Sequence, residues 1–155
     1  MNFTSEEIDK RVSEFMEACR SEGVKITYQR LVIFKEIAGS KEHPDAETIY
    51  RRVRRKLPTI SFDTVYRATS TLEKLKVISR LHIQSDRMRL DANTEPHQHF
   101  VCTQCGLVRD VYINSLEDLQ IADEVKGYGE VQSLHVELQG VCCDCLCSAS
   151  QGSGA

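Results

Sequence analysis

Between Asp91 and Asp110 the chain reads DANTEPHQHFVCTQCGLVRD, two aspartates, two histidines and a Cys-x-x-Cys pair within one short stretch. Ligand softness sorts metals, so imidazoles and carboxylates (Asp91, His97, His99, Asp110) interleaved with thiols (Cys102, Cys105) imply two different sites. The thiol pair has a counterpart in Cys142-x-x-Cys145. Two such turns can bring four sulfurs into a tetrahedron, the form of a zinc site, and with no open position that zinc is structural. The C-terminal module should then depend on it for folding. The second pair sits in Val-Cys-Cys-Asp-Cys-Leu-Cys, so Cys143 and Cys147 compete for the register. Two intervening residues form the usual knuckle, which favours Cys142 and Cys145. A redox dithiol or unligated thiols are the alternative.

His97 and His99 fall on one face of a strand, because strand side chains repeat every two residues. With Asp91 and Asp110 flanking them, they suit a divalent first-row metal such as iron, manganese or zinc. His43 is the candidate fifth ligand, reaching across from the N-terminal half, so that the metal would clamp two modules in one orientation.

The 155 residues carry a net charge of -3, but residues 1–90 hold 18 basic and 13 acidic side chains (+5) and residues 91–155 hold 2 and 10 (-8). A basic module is fused to an acidic one, and basic charge is the footprint of a phosphate-binding surface. The stretch MNFTSEEIDK is polar and acidic and no run approaches a membrane span, so a cytoplasmic protein without membrane contact is expected. In a reducing compartment clustered Cys-x-x-Cys pairs favour metal chemistry over disulfides.

The elements that must position these groups follow from periodicity. Ile8, Val12, Phe15, Met16 and Cys19 predict an amphipathic helix from Ser5 to Ser21, capped by Ser5, ended by Gly23, with Cys19 a buried small hydrophobe. Thr27 caps a second helix carrying Leu31, Ile33, Phe34 and Ile37, closed by Gly39. Pro44 suits the first turn of a third helix over Asp45 to Lys56, with Ala46, Ile49, Tyr50 and Val53 inward and Arg51, Arg52, Arg54, Arg55 and Lys56 outward. Ser61 caps a fourth helix, Phe62 to Lys76, with Val65, Ala68, Leu72 and Leu75 on its core side.

Short helices followed by two strands, Val77 to Ile83 and Arg87 to Leu90, turning near Gln84-Ser85-Asp86, read as a winged helix-turn-helix. The last helix before the hairpin would enter the major groove of double-stranded DNA, presenting Thr64, Tyr66, Arg67 and Ser70, with Arg54 and Arg55 beside it for phosphates. Beyond Asp91 the texture changes to strands at His97–Val101, Leu107–Ile113 and Glu130–Gln139, with a helix from Ser115 to Val125. The fold class is therefore α+β: a winged-helix DNA-binding domain over 1–90, a small α/β metal-binding domain over 91–146, and a tail over 147–155 (CSASQGSGA) too small and polar to bury surface.

The sequence resembles the ferric uptake regulator family, and within it the peroxide-sensing repressors, over roughly residues 6–146. The resemblance is carried by Thr27-Tyr28-Gln29-Arg30, by His43-Pro44-x-Ala46-x-x-Ile49-Tyr50, and by Pro58-Thr59-Ile60-Ser61 running to Thr64-Val65-Tyr66-Arg67. It is carried further by Asp91, His97-x-His99 and both Cys-x-x-Cys pairs. It implies a homodimeric transcriptional repressor, not an enzyme, dimerising through its C-terminal module. Tyr66 and Arg67 would lie on the DNA-reading helix, structural Zn(II) on Cys102, Cys105, Cys142 and Cys145, and regulatory Fe(II) or Mn(II) on His43, Asp91, His97, His99 and Asp110. Peroxide sensors of the family typically carry Asp at the last position, where its iron and zinc regulators carry Glu. His43 and His97 would be the oxidation targets when peroxide meets bound Fe(II), and Mn(II) would support repression while resisting oxidation.

The chain departs from the family's pattern in several places. Pro96 and Gln98 stand where iron regulators often have further ligands, leaving Glu117 and His135 without a full site. Asp63 places an acid at the start of the reading helix, Lys76 stands where a glycine often precedes the wing, and His82 matches no ligand position. The alternative within the family is an iron- or zinc-responsive uptake regulator. A metal-dependent hydrolase lacks a spare general base and a motif such as HExxH. A metal carrier without DNA function would bind metal yet ignore Arg67→Ala in a duplex-binding assay.

Overall fold

The structure is a computed structural model that describes residues 3–81, 88–113, 125, 127–130 and 136–151, with side chains to residue 148. The chain forms two compact units, Met1–Glu95 and Pro96–Ala155.

In the first unit, helix α1 (Ser5–Ser21) is capped by Thr4 rather than Ser5. Glu7, three residues after Thr4, closes a capping box in which the Thr4 hydroxyl accepts from Glu7 N at 3.2 Å while Glu7 Oε2 accepts from Thr4 N at 2.7 Å. Gly23, at φ 63, ends it, and Val24 N donates back to Cys19 O at 2.8 Å. Thr27 caps α2 (Tyr28–Ala38), which Gly39 closes, as the sequence predicts. Helix α3 (Ala46–Arg54) begins one residue later than expected: the Asp45 carboxylate accepts from Thr48 N at 2.7 Å, making Asp45 the cap and leaving Pro44 outside the first turn.

Ser61 caps α4 (Phe62–Lys74), which stops short of Lys76 because Lys76 takes the left-handed conformation, φ 56. Val77 N then donates to Leu72 O at 3.2 Å and Lys76 N to Glu73 O at 2.8 Å, a C-terminal motif usually built on glycine. The four helices bury one continuous core that includes Phe15, Ile33, Phe34, Ile37, Ile49, Val53, Val65 and Leu72, with Phe15 and Phe34 stacked at 4.8 Å. Cys19 is fully buried within it.

Strands β1 (Ser79–Leu81) and β2 (Arg89–Asp91) pair antiparallel with Ser79 opposite Asp91. Leu90 and Ala92 belong to the same core, so Asp91 is a residue of the helical unit, and the boundary falls at Glu95 instead of Leu90. The expected turn at Gln84-Ser85-Asp86, with His82, lies outside the described residues.

The second unit contains a three-stranded sheet in the order β4-β3-β5, from β3 (Gln98–Cys102), β4 (Val108–Val111) and β5 (Glu137–Gly140). Strand β3 pairs antiparallel with β4 and parallel with β5. Helix α5 (Cys143–Gln151) follows. It carries Cys147 to Gln151, where the sequence suggested a structureless tail. There the Ser148 hydroxyl donates back to Asp144 O at 2.8 Å, a side-chain bond onto the preceding turn. The helix expected over Ser115–Val125 falls almost wholly outside the described residues, as do Glu117 and His135.

Candidate functional site

The two Cys-x-x-Cys segments meet through the sheet. Cys102 ends β3 and is paired with Gly140 of the parallel strand β5, two residues before Cys142. A tight turn returns the chain from Cys102: Gly106, at φ 71, donates its N–H to Cys102 O at 2.9 Å, and Cys102 N donates to Leu107 O at 2.8 Å. Thr103 N and Thr103 Oγ1 both donate to Gly140 O, at 2.8 and 3.2 Å, fastening this turn to the end of β5. Cys142 then precedes α5, whose first turn supplies Cys145; Leu146 N donates to Cys142 O at 3.0 Å.

The result brings four sulfurs within 4.8 Å of one another, with Cys102 to Cys145 at 3.9 Å and Cys105 to Cys142 at 3.6 Å. A Zn–S bond of about 2.3 Å at the tetrahedral angle requires S···S of about 3.8 Å. The donor set thus fits a zinc ion in both chemistry and dimension. Cys143 and Cys147 are exposed and outside this cluster, whose members are Cys102, Cys105, Cys142 and Cys145.

Ionisation within the cluster is uneven. The backbone N–H groups of Cys105 and then Cys142 stabilise the Cys102 thiolate and hold its pKa at about 6; the Cys142 N–H lies 3.3 Å from the sulfur. Cys145 is pushed up to about 12, first by its hydrogen bonds with Cys142 and Cys105 and further by desolvation and the Cys102 charge. One thiolate forms readily and suppresses its neighbours. A divalent cation is what such a set needs to hold every sulfur ionised.

The imidazoles and carboxylates form one group in each unit. In the helical unit, His43 Nε2 lies 3.7 Å from Asp91 Oδ1 and both side chains are buried. Strand β2 fixes this pairing, since Leu90 N donates to Pro44 O at 3.0 Å and Arg89 bridges to Asp45. His43 adopts φ 48, a left-handed conformation that costs a non-glycine residue about 1 kcal/mol. Asn93 N donates to Asp91 Oδ1 at 2.8 Å and holds the carboxylate. Such strain and constraint gather where geometry serves a site.

In the sheet unit, register does the positioning. His99 is the Cα partner of Asp110 across the β3–β4 ladder, and His97 precedes β3 by one residue on the same side as His99. Asp110 Oδ1 lies 3.9 Å from Nε2 of each histidine. The two Nε2 atoms are 2.9 Å apart, close to the roughly 3.0 Å that two imidazoles at right angles on one metal require with M–N near 2.1 Å. Between them Gln98 turns elsewhere, accepting from Ile113 N at 3.0 Å. The Tyr112 ring stands 6.0 Å from His97, a neighbour that the sequence reading passed over.

On α4, Tyr66 and Arg67 are exposed and Thr64 and Ser70 half-buried. The Ser61 hydroxyl accepts from Thr64 N at 3.1 Å. Arg67 Nε is ion-paired to Asp63 Oδ2 at 2.8 Å. Arg80 on β1 supports the helix, donating to Ser70 Oγ at 2.9 Å, pairing with Glu73 at 2.8 Å and lying 5.6 Å over the Tyr66 ring. A lone strand arginine gave no sequence signal for this role. The cationic run of α3 divides. Arg52 is bound to Glu42 and Ser40, Arg51 to Thr48, and Lys56 to Glu36. Arg54 and Arg55 stay exposed, Arg54 over the Tyr50 ring at 5.5 Å. No helix among the described residues is long and apolar enough to cross a membrane.

Comparison with known proteins accords with this arrangement. The model of the ferric uptake regulator family matches residues 21–139. The peroxide-responsive repressor PerR of Staphylococcus epidermidis is 32% identical over 146 residues, covering 94% of this chain and 97% of that protein. Among solved structures, the ferric uptake regulator of Helicobacter pylori is similar at a TM-score of 0.72 and 25% identity, covering 90% of this chain and 93% of that one. PerR from Streptococcus pyogenes is similar at a TM-score of 0.52 and 26% identity, covering 94% and 95%. Peroxide-responsive repressors thus recur among both its sequence relatives and its structural neighbours. On these matches, which span most of its length, the chain belongs to the ferric uptake regulator family.

Proposed function

We propose that this protein is a homodimeric, metal-dependent transcriptional repressor that binds double-stranded operator DNA and releases it on exposure to hydrogen peroxide. The observation that carries the peroxide reading is Asp110, equidistant from His97 and His99 at 3.9 Å, in a chain similar along its length to peroxide-responsive repressors. In this reading Zn(II) on Cys102, Cys105, Cys142 and Cys145 is structural, which requires a reducing compartment such as the cytoplasm.

The regulatory metal, Fe(II) or Mn(II), takes His43 and Asp91 from the helical unit and His97, His99 and Asp110 from the sheet unit. Neither group alone completes a coordination sphere, whereas together they offer five nitrogen and oxygen donors of the kind first-row divalent ions accept. Asp91 and His97 are six residues apart, so the chain holds their Cα atoms within about 20 Å. Bound Fe(II) would supply the reduction of hydrogen peroxide and an oxidant that adds oxygen to a ligand imidazole.

The chain's own residues supply the rest. His43 and His97, one from each group, are the proposed targets, and an oxidised imidazole is a poorer donor. Loss of either ligand removes the differential affinity that favours one arrangement of the units. The DNA contacts fall to the first unit, a winged helix in this reading, with Thr64, Tyr66 and Arg67 towards base edges and Arg54 and Arg55 towards phosphates. The sheet unit dimerises, so two reading helices address two half-sites.

The test is fluorescence anisotropy on duplexes selected by the Mn(II)-loaded chain. Hydrogen peroxide should release the Fe(II) form and leave the Mn(II) form bound. Release of neither form, with DNA binding set by iron or zinc concentration alone, would favour an iron- or zinc-responsive uptake regulator.

A further inference from the structure

We infer that Asp63 is a specificity-determining residue, which holds Arg67 for guanine, accepts from a neighbouring cytosine amine, and so confines the reading helix to a G·C-containing step. The inference rests on the DNA-binding reading above. Its observation is the Asp63–Arg67 ion pair on the outer face of α4, where both side chains are largely solvent-exposed, 67% and 80%.

Asp63 and Arg67 stand one helical turn apart, acid N-terminal to base, the spacing at which such pairs form on a helix surface. The contact engages Arg67 through Nε, at 2.8 Å. An arginine held at Nε still has its two terminal amino groups, the edge that donates in a fork to guanine O6 and N7. By occupying Nε the carboxylate restrains the guanidinium and leaves its terminal amino groups as the edge offered to DNA. Its second oxygen can accept a hydrogen bond, and in the major groove the cytosine N4 amine is the partner an aspartate takes.

An acid on a DNA-facing helix also lowers sequence-independent affinity, because it cancels one positive charge against the phosphates. Placed beside Arg67 it exchanges general attraction for discrimination. On α3 and the turn after it, Arg52 and Lys56 are already bound to Glu42 and Glu36, whereas Arg54 and Arg55 are exposed.

The experiment uses the full chain loaded with Zn(II) and Mn(II), as wild type, Asp63→Asn and Asp63→Ala, selected against a randomised duplex library. Binding to selected and scrambled duplexes is then measured across a salt series. Asp63→Asn keeps size and helix geometry while removing the ion pair, so it guards against a folding defect. Both variants should bind scrambled duplex more tightly by about 3- to 10-fold, as Arg67 turns to a phosphate. Their salt slopes should steepen by about one counterion. Preference at one G·C position should fall by about 10-fold or more, the scale of a lost base-specific pair. Wild-type preference and salt slope retained in both variants would overturn the inference while leaving the DNA-binding reading intact. A wild-type chain that selects no sequence would overturn both.

Discussion

If zinc holds the four-cysteine cluster as proposed, removing it should unfold the sheet unit and spare the helical one. Among the described residues of the sheet unit the buried apolar side chains are only Val101, Cys102, Val108 and Cys142, and two of these are ligands. The helical unit buries a core several times larger. So little burial in the sheet unit does not offset the backbone entropy of ordering β3, β4, β5 and α5, at about 1–2 kcal/mol per residue, whereas a structural zinc supplies about 10–16 kcal/mol. Chelation, or Cys142→Ser, should therefore abolish hydrogen-exchange protection at Val101 and Gly140. Amides of α2 and α4 should stay protected, and most of the far-ultraviolet helix signal should remain. Retained protection at Val101 and Gly140 in a chelated, metal-free chain would refute the reasoning.

Lys76→Gly should stabilise the chain by about 0.5–1 kcal/mol, because glycine relieves the left-handed strain at φ 56 and returns part of the gain as unfolded-state entropy. A thermal melt that rises by a few degrees checks this. Metal binding needs all four thiols of the cluster ionised, so the apparent zinc affinity should rise as pH rises from about 6 towards 9, the ordinary thiol range, because fewer protons must then be displaced. Competition with a chromogenic chelator at pH 6, 7 and 8 checks this, and an affinity that does not change with pH would contradict it.

The sequence disclosed most of what local chemistry determines. Thr27, Gly39 and Ser61 mark their helix ends because each acts on backbone groups within four residues. The Cys-x-x-Cys spacing was enough to point to the four sulfurs that the structure brings together, since two knuckles brought together need little else. What it hid depends on competition between neighbours. Ser5 could cap, but Thr4 has Glu7 to complete a capping box. Pro44 could open a helix, but Asp45 offers an acceptor to Thr48 and takes the cap. The switch of Asp91 to the helical unit follows from the pairing of β2 with β1, a non-local contact that periodicity does not report. That assignment divides the proposed regulatory ligands into two from one unit and three from the other, which sharpens the argument that a metal links them. The i,i+4 spacing of Asp63 and Arg67 was legible, whereas Arg80 as the support for Tyr66 and Ser70 was not.

The most direct test of peroxide sensing is mass spectrometry of the tryptic peptides Glu42–Arg51 and Leu90–Arg109, which contain His43 and His97, after peroxide treatment of the Fe(II) and Mn(II) forms. One oxygen atom should be gained at His43 or His97 in the Fe(II) form and at neither in the Mn(II) form. Unmodified histidines in the Fe(II) form, at peroxide sufficient to oxidise the bound iron, would contradict it.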